Sequence, residues 1–77
     1  MLLLIHKEEE LKMKKLEELY NHKKKLKQKQ AMLEELMDYF DDIKLYALAD
    51  QMEDAIDLVI NSLYVVQTQI NKLEVVQ

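Results

Sequence analysis

The sequence predicts an all-α chain, an antiparallel two-helix hairpin of coiled-coil type that dimerises into a four-helix bundle. Three observations carry that expectation. Glycine and proline are absent from all 77 residues, so nothing in the chain punctuates a helix strongly. Apolar residues recur at alternating steps of four and three through the second half, which is the pattern of a helix with one buried seam. That recurrence changes register once, between residues 40 and 45, so the chain reads as a single helical domain over 1–77 with its two helices joined near the middle.

The first helix is expected over about residues 3–39. The seam template picks out Ile5, Glu9, Lys12, Leu16, Leu19, Lys23, Leu26, Gln30, Leu33, Met37 and Phe40. Glu9, Lys12, Lys23 and Gln30 dilute this seam, and Met13, Tyr20 and Leu36 widen the apolar face beside it. Carrying the same register onward would put Lys44, Ala47 and Gln51 on the seam, so the helix is interrupted there. The turn is placed at about residues 40–43, because Asp41 and Asp42 suit an N-cap, whose carboxylate accepts from the free N–H groups of the next turn. The second helix follows over about 44–75. Its seam is apolar throughout: Leu45, Ala49, Met52, Ile56, Val59, Leu63, Val66, Ile70 and Leu73. Each half would be about 54 Å long at 1.5 Å per residue.

A turn at that point sets opposite one another those residues whose numbers sum to about 83, given equal rise in both helices. Lys25 and Lys29 would then face Asp54 and Asp57, and the basic run Lys23, Lys24, Lys25, Lys27 and Lys29 would meet the acids of the second helix. Exposed pairs of this kind set register more than stability. The rival architecture is one continuous helix with a stutter at residues 41–44, pairing with another chain. Two helices sharing one seam bury little apolar surface, so a second copy is expected to dock on the second helix. The expected oligomer contact is Ile56, Val59, Leu63, Val66 and Ile70, with Leu48, Leu58, Ile60 and Val65 adding apolar surface off the seam.

Composition excludes several functions. Without glycine there is no cheap positive φ, which removes phosphate-cradling loops and the usual helix C-caps. Without cysteine there is no disulfide, thiolate zinc site or thiol nucleophile. The apolar run Leu2 to Ile5 is too short to span a bilayer and lacks a signal-peptide pattern, so a cytoplasmic location is expected and no membrane partner. A dimetal site in a bundle needs Glu-x-x-His, whereas Leu3 and Leu19 precede His6 and His22 by three. His6 with Glu10, and Glu18 with His22, offer only two ligands each. No metal or cofactor is expected. Ser62 would sit opposite Asn21 and His22, but no third group or oxyanion site accompanies them, so an enzyme is not expected.

The remaining readings rest on charge. The formal net charge is -4 and every basic residue is lysine, which weakens bidentate recognition of phosphate. The lysine run from Lys23 to Lys29 invites an RNA- or DNA-binding bundle, but its members spread around the helix, and nucleic acid is disfavoured as a partner. Asp50, Glu53, Asp54 and Asp57 form a ladder that could imitate a phosphate backbone, as in a small phage- or plasmid-type inhibitor that blocks a host enzyme. Tyr39, Phe40 and Tyr46 cluster at the tip, where aromatics ringed by charge can anchor a partner. The ordinary explanation of such a tip is that it closes the end of the core. No motif carries a resemblance to a known family. The expectation is therefore a non-enzymatic module that self-associates and binds a protein partner of unstated identity through its tip or acidic face.

Overall fold

The computed structural model describes the backbone of residues 2–75 and the side chains of residues 8–74. The chain is a hairpin of two helices, α1 over Leu2–Asp42 and α2 over Tyr46–Val75, packed along one another in a rod of 64 × 14 × 12 Å. The continuous-helix alternative is thereby set aside.

The turn lies at residues 43–45, later than the expected 40–43, and Lys44 is its pivot. Lys44 has φ of 64°, the left-handed region that glycine usually fills at the end of a helix. Its N–H donates to the Asp41 carbonyl at 3.0 Å, and the Leu45 N–H donates to the Phe40 carbonyl at 2.8 Å. These are the two turn-back bonds of a Schellman cap, which satisfy carbonyls left free at a helix C-terminus. The cap therefore forms without glycine, contrary to expectation, at a steric cost of roughly 1–2 kcal/mol for an L-residue in this conformation. Asp41 and Asp42 close α1 instead of capping α2. The capping position of α2 belongs to Leu45, whose carbonyl accepts from Ala49 N–H at 3.1 Å.

Moving the turn moves the register. Lys23 Nζ donates to Gln67 Oε1 at 2.7 Å, and the Tyr20 hydroxyl donates to Glu74. An 83 register would have put these two α1 residues level with about residues 60 and 63, so the helices have slid by about two turns or more. One consequence is that α1, 41 residues against 30 for α2, runs past the end of α2 by about 16 Å. Glu9 and Leu11 lie exposed on that extension.

The seam series itself is the packing face. From Lys12 to Phe40 every seam position of α1 is buried or half-buried, and from Ala49 to Leu73 the same holds for α2. Ile5 falls outside the described side chains, and Leu45 is exposed at the turn. Four apolar side chains are nearly fully covered: Leu19, Ala49, Ile56 and Ile70, the last with no exposed surface. The all-α hairpin is thus the fold, with its core confined to one line of contacts.

Candidate interaction surface

If the seam columns are lettered a and d, the outer columns fall on two sides, c and g on one and b and e on the other. In an antiparallel pair, like flanks meet. Tyr20 and Glu74, both e, are hydrogen-bonded. Lys15 and Gln69, both g, line one groove with Leu19, Lys72 and Leu73. A second groove, of about 280 Å³, is lined by Lys29, Met32, Leu33, Leu36 and Val59 on the same c/g side.

Between residues 29 and 62 the two sides have opposite character. Positions c and g hold Lys29, Met32, Leu36 and Tyr39 on α1, with Ile43 following in the turn, and Leu48, Gln51, Ala55, Leu58 and Ser62 on α2. No acid occupies them. All nine acids from Glu34 to Asp57 fall at b, e or f, the other side and the back. Met32 is 62% exposed, Tyr39 57% and Leu58 69%, so these three apolar side chains of that side are left largely open among the described residues.

The residues expected to bind a partner divide between these sides. Tyr39 lies on the apolar side. Phe40 is half-buried at the end of the seam, its ring tilted 59° to that of Tyr39 with centroids 5.9 Å apart. Tyr46 is exposed on the acidic side, together with Asp50, Glu53, Asp54 and Asp57. Ile56, Val59, Leu63, Val66 and Ile70, expected at an oligomer contact, are engaged by α1 within the hairpin. Val59 among them also borders the open groove. Periodicity alone did not separate the seam from the column beside it. The signal that could have done so is the exclusion of acids from c and g.

The expected charge pairing is not formed. Lys29 borders the apolar groove, while Asp54 and Asp57 stand at f and b on the other side, so Lys29 is on the wrong face to meet them. Lys23 is half-buried and bonded to Gln67 rather than to an acid. Tyr20, whose hydroxyl donates to Glu74, has its pKa raised from the ordinary phenol value, because ionisation would break that bond and set two negative charges side by side.

Side chains with reactive potential are engaged locally. Ser62 Oγ donates to the Leu58 carbonyl and Thr68 Oγ1 to the Tyr64 carbonyl, each at 2.9 Å, a back-bond common for hydroxyls inside helices. The shifted register also separates Ser62 from His22, which is level with about residue 67 by the rise of the two helices. Among the described residues no group of three or more His, Cys, Asp or Glu is placed to hold a metal ion. His6 lies outside the described side chains. Among the described residues no helix is long and apolar enough to cross a membrane. Compared with protein-family models, with curated proteins and with solved structures, the chain matches none.

Proposed function

We propose that this chain is a non-enzymatic interaction module, a helical hairpin that self-associates into a four-helix bundle and presents its acidic side to a protein partner. The observation that carries the reading is uncovered apolar surface. Fourteen large hydrophobic side chains stand exposed among the described residues against three nearly buried ones, Leu19, Ile56 and Ile70, and the accessible area is 6599 Å² for 9.2 kDa. A compact monomer of that mass exposes roughly 4,900 Å². The excess, roughly 1,700 Å² of polar and apolar area together on an elongated rod, is about twice what one partner contributes to a standard interface. Sedimentation equilibrium at micromolar concentration should give a dimer. A folded, dilute monomer would remove the self-association from this reading.

The partner side of the reading draws on charge segregation. With the apolar side covered, Asp50, Glu53, Asp54 and Asp57 remain outward beside Tyr46, a surface suited to a basic protein face. The same ladder supports the second reading, an inhibitor that occupies the nucleic-acid groove of an enzyme. Both predict that replacing Asp50, Asp54 and Asp57 with asparagine leaves the helical dichroism and the dimer intact and abolishes capture of a partner from the native host. Competition with duplex DNA for the captured protein separates them. Unaltered capture by the triple variant would dismiss the acidic side in both.

A further inference from the structure

We infer that the second copy docks through the c/g side, Met32, Leu36 and Tyr39 of α1 and Ile43 of the turn with Leu48 and Leu58 of α2, and that the two turns lie at the same end of the bundle. This rests on the self-associating reading above and adds to it a face and an orientation.

The face follows from what each side would have to bury. Docking through the b/e side would take Asp50, Glu53 and Asp57 out of water with the like-charged acids of the other copy opposite them, and desolvating unpaired carboxylates costs several kcal/mol each. The c/g side between residues 29 and 62 asks for no such burial, since its only charge is Lys29 and the other positions are apolar or small but for the neutral Gln51. Lysine can lay its methylene stem along the groove it borders and keep its ammonium in water. Covering this side also completes the burial of Leu33 and Val59, which are only half-covered by the hairpin and line the groove.

Orientation follows from the gradient along that side. Near the turn it is apolar but for Gln51; further away it carries Lys15, Glu18, His22 and Lys25 on α1 and Val65, Gln69 and Lys72 on α2. With turns at the same end, α1 of one copy runs beside α2 of the other in the register the hairpin already uses. Met32 then meets Leu58, Leu36 meets Ala55, His22 meets Gln69 and Glu18 meets Lys72. Over the near half apolar residues meet apolar ones except where Tyr39 meets Gln51 and Lys29 meets Ser62. Over the far half polar or oppositely charged residues meet except where the Lys25 stem lies along Val65. With turns at opposite ends and full overlap, Met32 through Ile43 would lie against the lysine-bearing stretch of the other copy. Sliding the copies apart to avoid that would cover only the near half and leave much of the excess area in water.

The chain has no cysteine, so one introduced at exposed Asp42 can carry a nitroxide at a unique site beside the turn. Pulsed dipolar spectroscopy on the Asp42→Cys dimer should give a distance of about 20–35 Å, the scale of two or three helix diameters. Opposite ends with full overlap would give about 45 Å or more, the length of α2. A nitroxide at exposed Glu10 (Glu10→Cys), close to its counterpart when the turns share an end, would lie well beyond about 45 Å from it in the slid arrangement. Either long distance would overturn the orientation. For the face, Leu58→Glu should weaken dimerisation by about 100-fold or more, since a carboxylate would have to be buried. Ile60→Glu, an equally drastic change of an exposed apolar residue on the b/e side, should change it by less than about threefold, within the usual range for a surface site. A dimer that tolerates Leu58→Glu and is lost with Ile60→Glu overturns this face while leaving self-association standing. A folded monomer of the unsubstituted chain overturns both and leaves the c/g side to a different protein. The label distance is read on a chain whose c/g side is intact, so it decides orientation even if Leu58→Glu unfolds once dissociated.

Discussion

Of the four side chains that are nearly fully covered, α2 supplies Ala49, Ile56 and Ile70, and α1 supplies Leu19. Both helices follow the same four-three spacing, and in both the spaced positions turn inward. What differs is the filling. Lys12, Lys23 and Gln30 occupy seam positions of α1 and are half-buried there, while every covered seam position of α2 is apolar. Period decides which way a residue faces, and residue type decides how much stabilisation that orientation yields. A helix can have the right pattern and still be the weaker partner.

This contrast can be broken by truncating matched positions. Ile70→Ala removes a side chain with no exposed surface and should cost about 2–5 kcal/mol, the usual range for a large-to-small change in a core. Leu26→Ala, at a half-covered seam position of α1, should cost clearly less. Urea denaturation of all three proteins at one fixed concentration measures the difference, because the proposed self-association would make the midpoint concentration-dependent. Equal losses at the two positions would mean that α1 is as deeply packed as α2 in the folded protein.

Filling the diluted seam tests the same contrast from the other direction. Gln30 is half-buried and its side-chain bond is to Glu34 on the same helix, at 3.3 Å. Gln30→Leu gives up a long, solvent-accessible bond and adds apolar area against α2. It should stabilise by about 1 kcal/mol, roughly half the gain from fully burying a leucine. A rise in the urea midpoint without change in slope would support this, whereas a loss would show that the polar seam positions of α1 are needed to fix its register.

The helices and their seam are legible because periodicity lies in the order of the residues: spacing alone assigns Leu16, Leu26, Val59 and Leu63 to one face. The turn was misplaced by about three residues for a physical reason. Aspartates at a helix C-terminus oppose the helix dipole, so Asp41 and Asp42 read as the start of α2, and the residue that actually turns the chain is a lysine, which carries no turn signal. That error propagated into the register and from there into the expected pairing of Lys25 and Lys29 with Asp54 and Asp57. The apolar side beyond the seam was only partly legible, since Leu36, Leu48, Leu58 and Val65 could be seen as surplus but not assembled into one face until the register was known.

The joint between the two helices offers the smallest effect and the most direct test of how they are connected. Lys44 holds φ at 64°, where an L-residue is disfavoured by roughly 1–2 kcal/mol. Lys44→Gly relieves that strain but gives the unfolded chain more freedom, a loss of about 0.4–1 kcal/mol. The Schellman bonds use only backbone atoms, so glycine keeps them. The lysine charge near the negative end of α1 is also removed, which takes back a few tenths of a kcal/mol. The net expectation is a gain of about 0.5 kcal/mol from these opposing contributions, measured as a higher urea midpoint with unchanged helical dichroism. Lys44→Val should lose stability by more than the glycine variant gains, because a β-branched residue is a genuine outlier at positive φ. If valine were tolerated there, the chain would not turn at Lys44, and the register that places Met32 beside Leu58 on one face would fall with it.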